Sequence, residues 1–314
     1  MERLPSKKVI IGISIVLLAG TLLTNDISSI IVHGQPISDN TAKSHTILRD
    51  KDASTIRVDD INIAYKIVGK GDPLILISGY TGSMDSWNPL LIERLASNYT
   101  VVVFNNRGIG DTTSGDRSFS IRQFAIDTFG LLKALNINKA HVLGHSMGGM
   151  IALELALMHP ERVSKLIVSA SFCGQNESIS SDREVERISS DLSGTPQERI
   201  ERFVPFLFPK EWRQQNPNYG ESILNTEELS NKTLNQQSQA MFDWKGVCDQ
   251  LKNIRQPTLI IGGFDDVIIK FDHLLILARN IPAATIVEFN GAGHGFMHQY
   301  PKAVSSILLS FLNE

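Results

Sequence analysis

Apolar positions change their spacing several times along the chain, and each change marks an element. Residues 56–58 and 61–65 alternate apolar and polar side chains across Asp59-Asp60, which predicts two half-buried strands joined by a turn. Residues 74–77 and 101–104 are continuously apolar, the pattern of strands buried on both faces of a parallel sheet. Between them, 87–97 carries apolar residues at helical spacing, and 121–135 does the same further on. A strand at 141–143, a helix at 146–159 and a strand at 166–169 continue the alternation. After Pro257 it resumes with strands at 258–261 and 285–289 and helices at 272–280 and 301–312. Strands alternating with helices predict an α/β chain with a doubly wound, mostly parallel sheet.

The rhythm breaks after Phe172. Residues 173–256 hold polar helical stretches at 182–190 and 195–202, with aromatics such as Phe203, Phe206, Phe208, Trp212 and Trp244 between or beyond them. No strong strand signal interrupts them. They predict a helical cap inserted into the core formed by 55–172 and 257–314, most of the aromatics being the cap's own core. Both cysteines, Cys173 and Cys248, fall at the roots of this cap. In an oxidising compartment a disulfide would staple it there, two separate buried thiols being the other reading.

Ahead of the core, Arg3, Lys7 and Lys8 precede an apolar run over 9–23, the order of an export signal. The run is short for a membrane span, which needs about 20 residues. The small or β-branched pair Val32 and Gly34 is a poor match to a cleavage site, so residues 1–34 read as a signal peptide or an anchor. Either places the globular part outside the cytoplasm, with the N-terminal segment in contact with membrane. Residues 35–54 read as a polar linker.

Composition narrows the function mainly by exclusion. The 314 residues are 42% hydrophobic and 20% charged, with a net charge of −3, so nothing suggests nucleic acid. Neither a CxxC, an HExxH, a GxGxxG nor a P-loop occurs, so neither metal nor cofactor is expected.

The candidate chemistry centres on Gly144-His145-Ser146-Met147-Gly148, a G-x-S-x-G motif between a predicted strand and a predicted helix. A sharp turn there lifts a serine hydroxyl above the sheet edge, and flanking glycines leave it room. A serine needs a base, and His294 in Gly293-His294-Gly295 follows the last predicted strand. Its glycines predict a flexible loop. The base needs a carboxylate, and Asp265 or Asp266 follows the strand at 258–261. The apolar Val267-Ile268-Ile269 after the pair favours Asp266. Two backbone N–H groups are required for an oxyanion: that of Met147 and one from Ser78-Gly79-Tyr80-Thr81-Gly82-Ser83, where Tyr80 is the choice.

Together with Asn105-Asn106-Arg107-Gly108-Ile109-Gly110 and Trp87, these motifs resemble the α/β-hydrolase superfamily over residues 55–314. Within it the chain looks most like the serine carboxylesterase and enol-lactonase group. The resemblance implies a Ser146–Asp266–His294 triad cleaving a small-molecule ester or lactone without a cofactor. Asn105 replaces a usual aspartate and Ser78 a usual histidine, which weakens the subgroup assignment. Acyl transfer, perhydrolysis or C–C cleavage on the same triad are alternatives. A ligand-binding sensor on the same scaffold is another.

Overall fold

The computed structural model describes residues 16–17, 28–32, 52–174, 183–191, 193–217, 219 and 230–314. Its strands are β1 (Val16–Leu17), β2 (Ser28–Val32), β3 (Ser54–Val58), β4 (Ile61–Val68), β5 (Asp72–Ile77), β6 (Tyr99–Phe104), β7 (Ala140–His145), β8 (Val163–Ser169), β9 (Thr258–Gly263) and β10 (Ala284–Phe289). They form one sheet in the order β1-β2-β10-β9-β8-β7-β5-β6-β4-β3. From β6 through β5, β7, β8 and β9 to β10 every neighbour is parallel, and β4 runs antiparallel to both β3 and β6. This is the α/β-hydrolase fold that the motifs imply.

Helices cover both faces. Helices α1 (Pro89–Ala96) and α10 (Pro301–Asn313) pack Leu91, Leu95, Val304 and Leu308 on one side. On the other, α2 (Ile121–Ala134), α3 (Met147–Met158) and α8 (Phe271–Asn280) pack Phe124, Leu131, Ile151, Leu155 and Leu274. The short helix α9 (Phe296–Gln299) precedes α10. Residues 147–156 are all buried, which explains why α3 is apolar all round rather than amphipathic.

Between β8 and β9 lie α4 (Arg183–Ser190), α5 (Pro196–Leu207), α6 (Lys210–Gln215) and α7 (Asn231–Phe242). A disulfide joins Cys173 to Cys248, whose Cα atoms are 4.9 Å apart. Beside it the Val247 N–H donates to the Cys173 carbonyl at 2.6 Å, so the two roots of the insertion are tied twice.

The N-terminal region departs from expectation. The sequence pattern predicts no strand before residue 54, yet β2 pairs in parallel with β10, and β1 pairs antiparallel with β2. The rest of the expected leader, and nearly all of the expected linker, lie outside the described residues. Among the described residues no helix is long and apolar enough to cross a membrane.

Candidate active site

Strand order reverses at β5, whose neighbours β6 and β7 both follow it in the chain. A doubly wound sheet opens a crevice at the carboxyl ends of such strands. The loops after β5 and β7 meet there, and so do those after β9 and β10.

Ser146 sits between β7 and α3 with φ 56° and ψ −122°, a backbone conformation that side chains other than glycine rarely adopt. Neighbours hold it there. The Ser146 N–H donates to the Ser169 carbonyl at 2.9 Å, and the Ser171 hydroxyl donates to the Ser146 carbonyl at 2.8 Å. Glycine is required on either side because the chain passes close by. A Cβ on Gly148 would lie 2.0 Å from the Ile77 carbonyl oxygen, and one on Gly144 2.1 Å from that of Gly148. Met147 is the first residue of α3, so its N–H has no carbonyl partner within the helix.

The loop after β5 presses on this elbow, since a Cβ on Gly79 would lie 3.0 Å from that of Ser146. Gly79 to Gly82 form a turn closed by the Gly82 N–H on the Gly79 carbonyl at 3.1 Å. Thr81 within it has φ 61°. The Asn106 amide donates to the Ser78 carbonyl at 3.2 Å, and the Asn105 side-chain oxygen accepts the Met84 N–H at 2.7 Å. Asn105, the departure from the family pattern, therefore anchors this loop. The Tyr80 hydroxyl reaches the Leu234 carbonyl of α7 at 3.4 Å, and burial pushes its phenol above the usual range.

On the far side, His294 Nδ1 lies 2.7 Å from Asp266 Oδ2. The other carboxylate oxygen accepts the N–H groups of Ile268 and Ile269 at 2.8 and 2.9 Å. Three donors thus fix the Asp266 carboxylate, which is 4% exposed. With Nδ1–H donated to the carboxylate, Nε2 is left as the acceptor. Asp265 is exposed and contributes its backbone N–H to the Ala292 carbonyl instead. Of the two adjacent acids, Asp266 is the one that reaches His294.

The loop carrying His294 is not the loose segment that its glycines suggest. Gly293 N–H donates to Gln299 Oε1 and Gly295 N–H to the Leu207 carbonyl at the end of α5, both at 2.8 Å. A Cβ on Gly295 would lie 2.4 Å from the Phe208 ring. These glycines make room for the insertion.

His145 wedges against His294, ring centroids 4.9 Å apart, with its Nδ1 3.0 Å from Ser169 Oγ. Burial, and then the proximity of His294 and His298, hold its imidazole well below the usual range. A cavity of about 50 Å³ is lined by Trp87, His145, His294 and His298 among others, but not by Ser146. It is sized for water rather than a substrate. Among the described residues no cluster of three or more His, Cys, Asp or Glu side chains is arranged to hold a metal ion.

Several residues of this site carry no motif that states their role. Ser171 holds the elbow through one hydrogen bond, while Asn105 and Asn106 lie in a family-like motif whose loop-anchoring contacts the sequence did not disclose. Gln237 of α7, fully buried, accepts the Thr81 N–H at 3.0 Å. Trp244 donates its indole N–H to Glu154 of α3 at 2.9 Å. Glu154 is the one acidic side chain on the otherwise apolar stretch 147–158 of the sequence.

Known proteins share this architecture. The family model described as alpha/beta hydrolase fold matches residues 72–212. The "Putative carbamate hydrolase RutD" of Azorhizobium caulinodans is 30% identical over 262 residues, covering 81% of this chain and 96% of that protein. The enol-lactonase of Burkholderia xenovorans superposes with a TM-score of 0.73 at 20% identity, covering 83% of this chain and all of that one. A thermophilic esterase of Thermogutta terrifontis does so with a TM-score of 0.71 at 23% identity, over 84% and 98%. The last two likenesses concern the fold, while the RutD likeness, with the matching family model, makes the chain a member of the α/β-hydrolase family and a hydrolytic enzyme.

Proposed function

We propose that this hydrolase cleaves a carboxylic ester or lactone through an acyl-enzyme on Ser146, with His294 as base and Asp266 as its orienting carboxylate. The observation that carries the reading is the His294–Asp266 contact, with the carboxylate's second oxygen occupied by two backbone donors, opposite a serine at a strained elbow. Ser146 Oγ adds to the carbonyl carbon as its proton passes to His294 Nε2, while Asp266 stabilises the imidazolium. The N–H groups of Tyr80 and Met147 receive the oxyanion. Its collapse breaks the bond to the alcohol oxygen, which takes the proton from Nε2. Water then repeats the sequence, releasing the acid and restoring Ser146.

Residues 173–256 act in this reading as a cap that excludes water and shapes the pocket. The basic and apolar order of the first residues and the Cys173–Cys248 disulfide, which suits an oxidising compartment, support an exported protein, although residues 16–17 and 28–32 pair with the sheet. Carbamate cleavage is a second reading, favoured by the RutD likeness. The same attack serves a carbamate carbonyl, with an amine or alcohol leaving.

A panel of p-nitrophenyl esters, γ- and enol-lactones and aryl carbamates separates these readings. Turnover of esters or lactones, with an acyl mass increment on wild type that Ser146→Ala lacks, is the expected result. Preferred turnover of carbamates would favour the second reading. Unchanged turnover in Ser146→Ala would overturn both.

A further inference from the structure

Gln237 lies 91 residues after Ser146 in the chain, yet its side-chain oxygen sits on the loop that abuts the serine. Its Oε1 accepts the Thr81 N–H at 3.0 Å, and its side chain is fully buried. The orientation of the carboxamide follows from chemistry. A backbone N–H needs an acceptor, so the oxygen faces Thr81 and the amide nitrogen faces away. That nitrogen is buried without a hydrogen-bond partner among the described residues. An unpaired buried donor is unfavourable, so this contact is a poor choice for stability alone.

What the contact holds is unusual too. Thr81 is β-branched, its φ is 61°, and a side chain there opposes this backbone conformation. Such a residue persists only when its surroundings over-determine it. The Gly82 N–H on the Gly79 carbonyl closes the turn from within. Gln237 restrains it from outside, from α7 of the insertion. Tyr80 joins the two elements a second time through its hydroxyl and the Leu234 carbonyl, one turn earlier on α7. Tyr80 lies between Gly79, which abuts Ser146, and Thr81, which Gln237 holds.

We propose that Gln237 is a positioning residue through which the insertion sets the oxyanion hole. By accepting the Thr81 N–H it keeps the Gly79–Gly82 turn in the form that aims the Tyr80 N–H at the developing oxyanion. The inference rests on the reading of Tyr80 as an oxyanion donor. It adds that the donor's aim is set by a side chain of the insertion, so a shift of α7 alters the hole without touching Ser146, Asp266 or His294. Misplacing such a donor by about 1 Å costs on the order of 10²-fold in rate.

The test uses the full-length protein and a p-nitrophenyl ester that wild type turns over. Gln237→Met keeps length and apolar volume and removes the amide. We expect kcat to fall about ten- to a hundredfold while KM changes less than about threefold, because the oxyanion exists only beyond the ground state. Inhibition by a trifluoromethyl ketone, whose adduct on serine carries the oxyanion, should weaken in parallel. The decisive readout is rescue. Glycine at 81 adopts positive φ without strain, so Thr81→Gly combined with Gln237→Met should recover several-fold in kcat over Gln237→Met alone. A role in packing alone gives no such recovery. Should Gln237→Met fail to fold, Gln237→Asn, which is too short to reach Thr81, must show the same loss and rescue. A kcat within twofold of wild type, or a double variant no better than the single one, overturns the inference. If instead wild type acylates no serine, the ester reading itself fails, and that result is distinct.

Discussion

The serine elbow and the insertion meet at one crevice but are held by different means. The elbow is built from backbone. Ser146 is pinned by carbonyl and hydroxyl contacts from residues 169 and 171, and Gly148 touches the Ile77 carbonyl too closely for any side chain. Among the described residues the insertion is attached by scattered links, which include the Cys173–Cys248 disulfide, Gln237 on Thr81, Tyr80 on Leu234, Trp244 on Glu154 and Leu207 on Gly295. A site assembled from backbone tolerates little change, whereas one attached by side chains can be loosened one link at a time. Substitutions on the two sides should therefore separate catalysis from stability, except at Gln237, the link that reaches the oxyanion loop.

The largest effect belongs to the rigid side. Asp266→Asn keeps the shape and an acceptor for the Ile268 and Ile269 N–H groups but presents His294 with an amide. We expect about a 10⁴-fold fall in kcat with little loss of stability, because the histidine is then held in the wrong tautomer. Asp265→Asn, on an exposed side chain, should change kcat by less than about threefold. Steady-state kinetics on one ester decides the matter, and the reverse ranking would move the carboxylate role to Asp265.

The same contrast explains what the sequence discloses. Glycines at 144 and 148 and the alternation of strand and helix patterns are local signals, and they identify the elbow and the sheet directly. Asp266 was separable from Asp265 only through the apolar residues after it, which supply two of its three donors. The His294 loop was misread for a physical reason. Glycine reports the need for space, and here the space is filled by Leu207 and Phe208 from a distant element rather than left for motion. Gln237 and Trp244 were invisible as partners, since a polar residue on a helix states neither its direction nor what it meets. The pairing of β2 with β10 was equally hidden, because a short apolar stretch serves a leader as well as a strand.

Breaking the insertion's covalent link should show the opposite signature to Asp266→Asn. The disulfide closes a loop of 75 residues. Removing that constraint from the unfolded chain costs up to about 4.5 kcal/mol in the loop-entropy model. We expect Cys173→Ser with Cys248→Ser, or reduction of wild type, to lower the melting temperature substantially. The kcat of the remaining folded protein should stay within about threefold. An unchanged melting temperature would mean that the hydrogen bond from Val247 to Cys173 suffices to hold the roots together.

A smaller loss is expected at the other link. Trp244→Phe leaves Glu154 on α3 without its indole donor, though Arg122 remains 3.7 Å away. Stranding a buried acceptor costs about 1–3 kcal/mol. Glu154→Gln keeps an oxygen for the indole and should lose less. Denaturant melts of the two variants provide the comparison, and equal stability for Trp244→Phe and wild type would show that this contact adds nothing.

The smallest effect concerns acid, and it falls on the rigid side. His141, His145, His273 and His298 are all held below the usual histidine range, burial being the largest cause in each. His298, which donates to the Ser86 carbonyl, is lowered from 6.5 to about 4. The sign follows from proton counting. Between these two values the unfolded chain binds a proton that the folded chain refuses, so stability falls as the pH drops through 6.5 and the loss levels off below about 4. For His298 alone the difference between pH 7.5 and 5.5 amounts to about 1 kcal/mol. That is a shift of about 2–4 °C in melting temperature for a chain of this size class. His298→Gln retains an N–H for Ser86 but does not titrate, so its melting temperature should decline less than wild type's over the same interval. Trp244→Phe removes no titrating histidine and should keep the wild-type slope. If His298→Gln declines as steeply as wild type, acid acts on the fold through other groups, and the cluster around His145 contributes no pH sensitivity through His298.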